Sequence, residues 1–146
     1  MQPESESRAL REAQAKQLAQ NCIELENCII SGDFNDEKES PVVQEFMEKF
    51  NSAQYMSTGN ENEYTTCKHT KDGLIKRAVD FVFTSKENDR GLGITNVARY
   101  LPMPDPDTIL PCGNPNAAYP SDHYALGYEF IVAIEPSDEI KENDQP

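Results

Sequence analysis

From Ser7 to Leu25, the apolar positions Leu10, Ala13, Leu18, Cys22 and Leu25 recur at mostly three- to four-residue spacing among Arg, Lys, Glu and Gln. That period predicts an amphipathic helix with a narrow apolar face. The run Cys28-Ile29-Ile30-Ser31, closed by Gly32-Asp33, reads as a short buried strand ending in a turn. Ser40-Pro41 marks a second helix start, with Ser as N-cap and Pro at the first helical position, and Val42, Val43, Phe46, Met47 and Phe50 share one face of that helix. Asn51 to Asp72 is mostly polar and reads as a loop marked by Gly59, Asn60 and Asn62, with Tyr64-Thr65-Thr66 as a short strand. Ala78 to Thr84 is the clearest strand, rich in β-branched and aromatic residues. Leu92 to Tyr100 reads as another. Pro102, Pro104, Pro106, Pro111 and Pro115 then exclude regular structure until a last strand, Tyr124 to Ile134.

The order helix, strand, helix, strand, strand, strand predicts an α/β class with a mainly antiparallel sheet and two covering helices. Two helices on one side leave the other sheet face open, which predicts a larger layered domain or a protein partner covering that face. Residues 1–134 form the expected partial domain. Residues 135–146, with five acids to one Lys, read as an acidic disordered tail.

Charge narrows the function classes. Thirteen Lys and Arg against 26 Asp and Glu give a formal net charge of −13, which disfavours non-specific association with nucleic acid. It leaves room for a site where metal ions supply the positive charge. No apolar stretch is long enough to span a bilayer, and the N-terminus lacks the layout of a secretory signal, so a cytoplasmic protein without a membrane partner is expected. The four cysteines, Cys22, Cys28, Cys67 and Cys112, show no C-x-x-C spacing and read as reduced thiols. Cys67 and His69 lack the further ligands that a zinc site needs.

Three blocks place acidic or imidazole groups where a strand meets a loop: Gly32-Asp33-Phe34-Asn35-Asp36, Asp80, and Ser121-Asp122-His123. Singly, they read as a turn, an edge-strand acid and a hydrogen-bonded strand entry. Gathered at one sheet edge they supply the parts that a metal-dependent phosphoester hydrolase requires. Carboxylates suit hard Mg²⁺ or Mn²⁺. An amide holds a phosphate oxygen without adding negative charge, and an imidazole backed by a carboxylate keeps one tautomer and handles protons.

Gly32-Asp33-Phe34-Asn35, Asp80-Phe81-Val82-Phe83 and Ser121-Asp122-His123 together resemble the signatures of the endonuclease/exonuclease/phosphatase family, in that family's order. Arg11 and Gln14 with Leu18 in the first helix, Ser40-Pro41, Tyr64-Thr65-Thr66 and Pro120 are similar to the nocturnin and carbon-catabolite-repressor-type deadenylase branch. The resemblance covers about residues 8 to 133 and implies the C-terminal half of a four-layer, deoxyribonuclease-I-like α/β sandwich. It implies that Asp33 orients or deprotonates water, that Asn35 holds the scissile phosphate, and that Asp80 hydrogen-bonds His123. His123 would stabilise the transition state or transfer a proton. It also implies a Mg²⁺ site, with Mn²⁺ as substitute, involving Asp33, Asn35 and Asp122. Lys76 and Arg77, just before the Asp80 strand, are candidates from their charge for touching substrate phosphates. Phe34 reads as core rather than as a base-stacking residue.

The expected activity is hydrolysis of a phosphoester in poly(A) RNA or a nucleotide-type small molecule. The family's N-terminal Asn, metal-binding Glu and His-Leu strand have no counterpart here, so a fragment with little activity alone is expected. The alternative is a non-catalytic interaction module built on the same half-fold.

Overall fold

Alternation along one strand organises the core. A computed structural model of the chain describes residues 4–25, 27–60, 63–86, 93–99 and 120–133; the predicted proline-rich loop, Cys112 and the acidic tail lie outside them. Within the strand Asp80–Thr84 (β5), Phe81 and Phe83 are buried against helical residues, while Asp80, Val82 and Thr84 take the opposite face. The strand Ile29–Asp33 (β1) pairs antiparallel with β5, and the two-residue strand Asn51–Ser52 (β2) pairs with its other edge, giving the order β1-β5-β2.

Two helices cover the aromatic face of this sheet. The helix Pro41–Lys49 (α2) begins as predicted: the Ser40 side chain accepts a hydrogen bond from the Val43 N–H, with proline at the first helical position. Its Val42, Val43 and Phe46, with Phe50 just beyond its end, join Ile30, Phe81 and Phe83 in the main cluster. Ser40→Ala removes the cap and is expected to lower stability by about 1 kcal/mol in chemical denaturation, whereas Ser40→Asp should keep it.

The helix Glu4–Ile23 (α1) starts earlier than predicted, and its buried stripe is not the leucine set. Ala15 and Ala19 are buried with Cys22 packed beside them, while Leu10 and Leu18 are about half exposed. Small side chains give α1 a close but shallow seat, so the bulky apolar residues are left outside.

The segment 51–72, expected to be mostly loop, contains β2 and a short helix, Ala53–Thr58 (α3). Ser52 caps it by accepting from the Tyr55 N–H, and Gly59 ends it at φ 71°. The next expectation also changes: the single short strand becomes a hairpin, Thr66–Thr70 (β3) with Gly73–Arg77 (β4).

The strands Gly93–Arg99 (β6) and Tyr128–Ala133 (β7) form a third ladder with one irregularity near Ile94. Among the described residues the architecture is therefore mixed α/β with three small antiparallel sheets rather than one continuous sheet. The physical reason is visible at Thr65, whose hydroxyl accepts the backbone N–H groups of Val79 and Asp80. A side chain thus satisfies donors at the β4–β5 junction that a continuing ladder would have used.

Part of the second face of β5, around Val82, is packed by elements of the chain itself. Val82 packs with Ala53, Met56, Ile94, Val97, Tyr128 and Phe130 from α3 and the β6–β7 ladder. The Arg99 guanidinium closes this layer by bonding Glu63 and lying 5.8 Å from the Tyr128 ring centroid. Exposure concentrates instead along β1, an edge strand on which only Ile30 is buried. Among the described residues no helix is long and apolar enough to cross a membrane.

Candidate active site

The β1–β5 register sets Asp33 directly opposite Asp80. Opposed residues of an antiparallel pair project to the same face with Cβ atoms about 5 Å apart. Because Phe81 and Phe83 occupy the core face, this pairing delivers two carboxylates side by side on the other one. Like charges directly opposite destabilise a sheet. Here a third group joins them: Asp33, Asp80 and His123 offer ligand atoms all within 4.8 Å of one another.

His123 arrives through backbone pairing with the hairpin. It forms an antiparallel bridge with Thr66, the Tyr124 N–H donates to Thr65 O at 2.8 Å, and the Cys67 N–H donates to Asp122 O at 2.9 Å. The Ser121 hydroxyl accepts from the His123 N–H at 3.1 Å. So held, the ring places Nδ1 2.9 and 3.1 Å from the two Asp80 carboxylate oxygens. Nδ1 facing a carboxylate fixes the ring's orientation and leaves Nε2 for another partner.

Asp80 is gripped from its other side by Thr65, whose hydroxyl donates to Oδ2 at 2.6 Å while accepting the Val79 and Asp80 N–H groups. The side chain of Asp80 is 18% exposed against 37% for His123, so the carboxylate is the sheltered, orienting member. Thr65→Val keeps the shape but strands two backbone donors and frees Asp80. Its expected cost is about 1–3 kcal/mol in thermal or urea unfolding, with Thr65→Ser recovering most of it.

Asp33 ends β1, and its carboxylate accepts the Asn35 N–H at 2.7 Å and the Asn35 side-chain amide at 3.1 Å. This closes a tight turn with Asn35 at φ 53°, a left-handed conformation that Asn tolerates better than most residues. Phe34, between them, turns inward and meets Phe46, Phe81 and Phe83 edge-on at 5.1–5.7 Å between centroids. The expectation that Phe34 is a core residue holds. Arg11 of α1 steadies the loop from outside through a 3.0 Å ion pair with Asp36.

Asp33 and Asp80 border a cleft of about 190 Å³ that also includes Gly32, Tyr124 and Leu126. Among the described residues no Lys or Arg pairs with Asp33 or Asp80. A pair of carboxylates beside one imidazole, with no Lys or Arg among the described residues to pair with them, fits a divalent cation.

The remaining expected residues lie around this centre. Asp122 directs its carboxylate to Lys68, 3.9 Å away, and is not one of the three converging groups. Lys76 and Arg77 line a neighbouring hollow of about 290 Å³ with Glu37, Lys38 and Tyr64. Lys76 Nζ sits 4.6 Å from the Tyr64 ring centroid, and Arg77 Nε is 3.8 Å from Glu37. As consecutive strand residues they point to opposite faces of the hairpin.

Two residues of the site do not stand out in the sequence. Thr65 reads there only as part of a short strand, although a hydroxyl shortly before the Asp80 strand is a legible hint. Lys68 is paired across the ladder with Ile75 and faces Asp122 beside His123. Alternation within the hairpin would identify it once the hairpin is recognised. Compared with models of known protein families the chain matches none, and a search of curated proteins gives no significant match. The functional reading therefore rests on this geometry and on the motif resemblance.

Proposed function

We propose that the chain carries the water- and proton-handling part of a metal-dependent phosphoesterase of the endonuclease/exonuclease/phosphatase type. Its nearest branch is that of nocturnin and the poly(A)-specific deadenylases, and its fold is the C-terminal half of the corresponding four-layer sandwich. The observation that carries this reading is the cross-strand pairing of Asp33 with Asp80 and the contact of Asp80 with His123. Its substrate is a phosphoester in poly(A) RNA or a nucleotide-type small molecule.

Each residue has a distinct task in such a reaction. Asp33, the more exposed carboxylate, orients the attacking water and accepts its proton. Asn35, fixed by its bonds to Asp33, presents an amide to a phosphoryl oxygen. Asp80 holds His123, and the free Nε2 stabilises charge on the phosphoryl group or protonates the leaving oxygen. Asp33, Asn35 and Asp80 would hold a Mg²⁺ ion, with Asp122 supporting it from the rim. When bound, the ion supplies Lewis-acid polarisation of the phosphate and a lower pKa for water. Lys76 and Arg77, on the adjoining hairpin, would steer a polyanionic substrate towards the cleft.

The test is hydrolysis of adenylate oligomers and of a dinucleotide 2′-phosphate by the purified chain with Mg²⁺. Slow turnover that is lost with a chelator and lost in Asp33→Asn is expected. A rate unaffected by both treatments contradicts the proposal.

A second reading, an interaction module, draws on the exposed set Leu10, Leu18, Ile23, Leu25 and Ile29 along α1 and β1. It predicts concentration-dependent association in sedimentation that Leu18→Glu abolishes, with no Asp33-dependent hydrolysis.

A further inference from the structure

The chain as a whole carries a net charge of −13, yet the segment Thr66–Arg77 holds the basic residues Lys68, Lys71, Lys76 and Arg77 against the single acid Asp72. The β3–β4 hairpin is thus a cationic element in an acidic protein, and its register decides where those charges go. Thr66 stands opposite Arg77 on one side and opposite His123 on the other. Directly opposed residues of antiparallel strands project to the same face, so Arg77, Thr66 and His123 form one row across three strands. Lys68, two residues along β3 from Thr66, joins that face. The row is tight at its His123 end. The Cys67 N–H donates to Asp122 O and the Tyr124 N–H to Thr65 O, which makes Thr66 and His123 a non-hydrogen-bonded pair with Cα atoms about 4.5 Å apart.

The opposite face of the hairpin is engaged differently. Cys67 is buried there with Tyr124, Leu74 packs against them, and Lys76, paired across the ladder with Cys67, lies over the Tyr64 ring. The two cations on the His123 face are more loosely held. Lys68 is 63% exposed and Arg77 45%, and their carboxylate neighbours, Asp122 at 3.9 Å and Glu37 at 3.8 Å, stand beyond hydrogen-bond range. Exposed ion pairs of this length hold little energy. A phosphate would offer both side chains shorter, charge-assisted bonds.

We propose that Lys68 and Arg77 form a rim beside His123 that binds a second phosphate of the substrate, next to the one under attack, and so selects substrates with two neighbouring phosphates over those with one. The inference rests on the phosphoesterase reading above. Arg77 lies two strand spacings from His123, about 10 Å between backbones, and Lys68 lies diagonal to it, so the two cations flank the ring instead of crowding its Nε2. An adenylate oligomer and a dinucleotide 2′-phosphate both carry a further phosphate; adenosine monophosphate does not. Lys76, on the other face, contributes only long-range attraction.

The experiment titrates the full chain with each of these three compounds, in EDTA so that nothing is cleaved, and follows amide NMR shifts at two salt concentrations. Shifts at Lys68, Arg77 and His123 are expected with the oligomer or the dinucleotide. Lys68→Gln and Arg77→Gln should each weaken that binding about tenfold and lower the slope of log affinity against log salt by about 1. Lys71→Gln removes the same charge at the exposed hairpin turn and should change affinity less than about twofold. Monophosphate affinity should change in none of the variants. The compound whose binding is weakened identifies the source of the second phosphate. An equal loss in Lys71→Gln, an equal loss with the monophosphate, unchanged affinity in both rim variants, or no binding by the unaltered chain would each overturn the proposal. Hydrolysis that fails while this binding pattern holds would count against the phosphoesterase reading alone.

Discussion

His123→Ala is expected to reduce Mg²⁺-dependent phosphoester hydrolysis by about 10²–10⁴-fold, the range associated with a positioned acid–base group. Stability should change little, because the ring is more than a third exposed and its backbone, not its side chain, holds the segment to β3. Asp80→Asn should produce a loss of similar kind by a different route. The amide cannot fix the ring as the carboxylate does, and it also weakens the bond donated by Thr65. Since the two residues act as one unit, the double variant should be scarcely worse than either single one. Steady-state rates at saturating Mg²⁺, measured with melting curves, check both statements. Additive losses would mean that the two side chains work separately.

Phe34→Ala should show the largest combined effect on fold and site. Its ring meets three aromatic partners in the main cluster, while its neighbours Asp33 and Asn35 form the reactive turn. Removing a buried phenyl group costs about 3–5 kcal/mol; half-burial brings the expectation here to about 2–3 kcal/mol. For a chain of this size that is a fall in Tm of roughly 5–10 °C. Phe83→Ala, at a fully buried position, should cost more stability. Phe83 pairs with Ile30, away from the Asp33–Asp80 end of the ladder, and its loss leaves the Asp33–Asn35 bonds in place. Hydrolysis by the folded fraction should therefore fall less than in Phe34→Ala. Unfolding curves with activity corrected for the folded fraction separate the cases. Equal activity losses in the two variants would show that Phe34 has no special hold on the turn.

The features legible in the sequence are the local ones. The cap and apolar face of α2 can be read directly because Ser40, Pro41 and the Val42-to-Phe50 spacing are short-range signals. The β5 strand is legible because its aromatic and β-branched residues leave no competing period, although its ladder starts at Asp80 rather than Ala78. The three polar blocks are legible as blocks. Their convergence depends on a register that links Asp33 with Asp80 across the whole intervening helix and hairpin. No local pattern encodes that register; it is set by which side of each strand meets the aromatic core.

The misses have equally specific causes. The β3–β4 hairpin exposes Lys68, His69, Ile75, Lys76 and Arg77 or leaves them half-covered, so its period-two contrast is weak. Gly73, at φ 120°, marks the tight return into β4. α3 is too short for a periodic signal, and its cap and terminating Gly59 look like loop residues in the sequence. In α1 the leucines carry the periodic signal while the alanines make the contact.

The most direct test of the central claim is a Mg²⁺ titration monitored by amide and imidazole NMR shifts in the unaltered chain and in Asp33→Asn. Saturable shifts confined to Asp33, Asn35, Asp80 and His123, and lost in the variant, are the predicted result. Weak, unsaturated shifts spread over unrelated acids such as Glu12 and Asp72, and unchanged by the substitution, would contradict it.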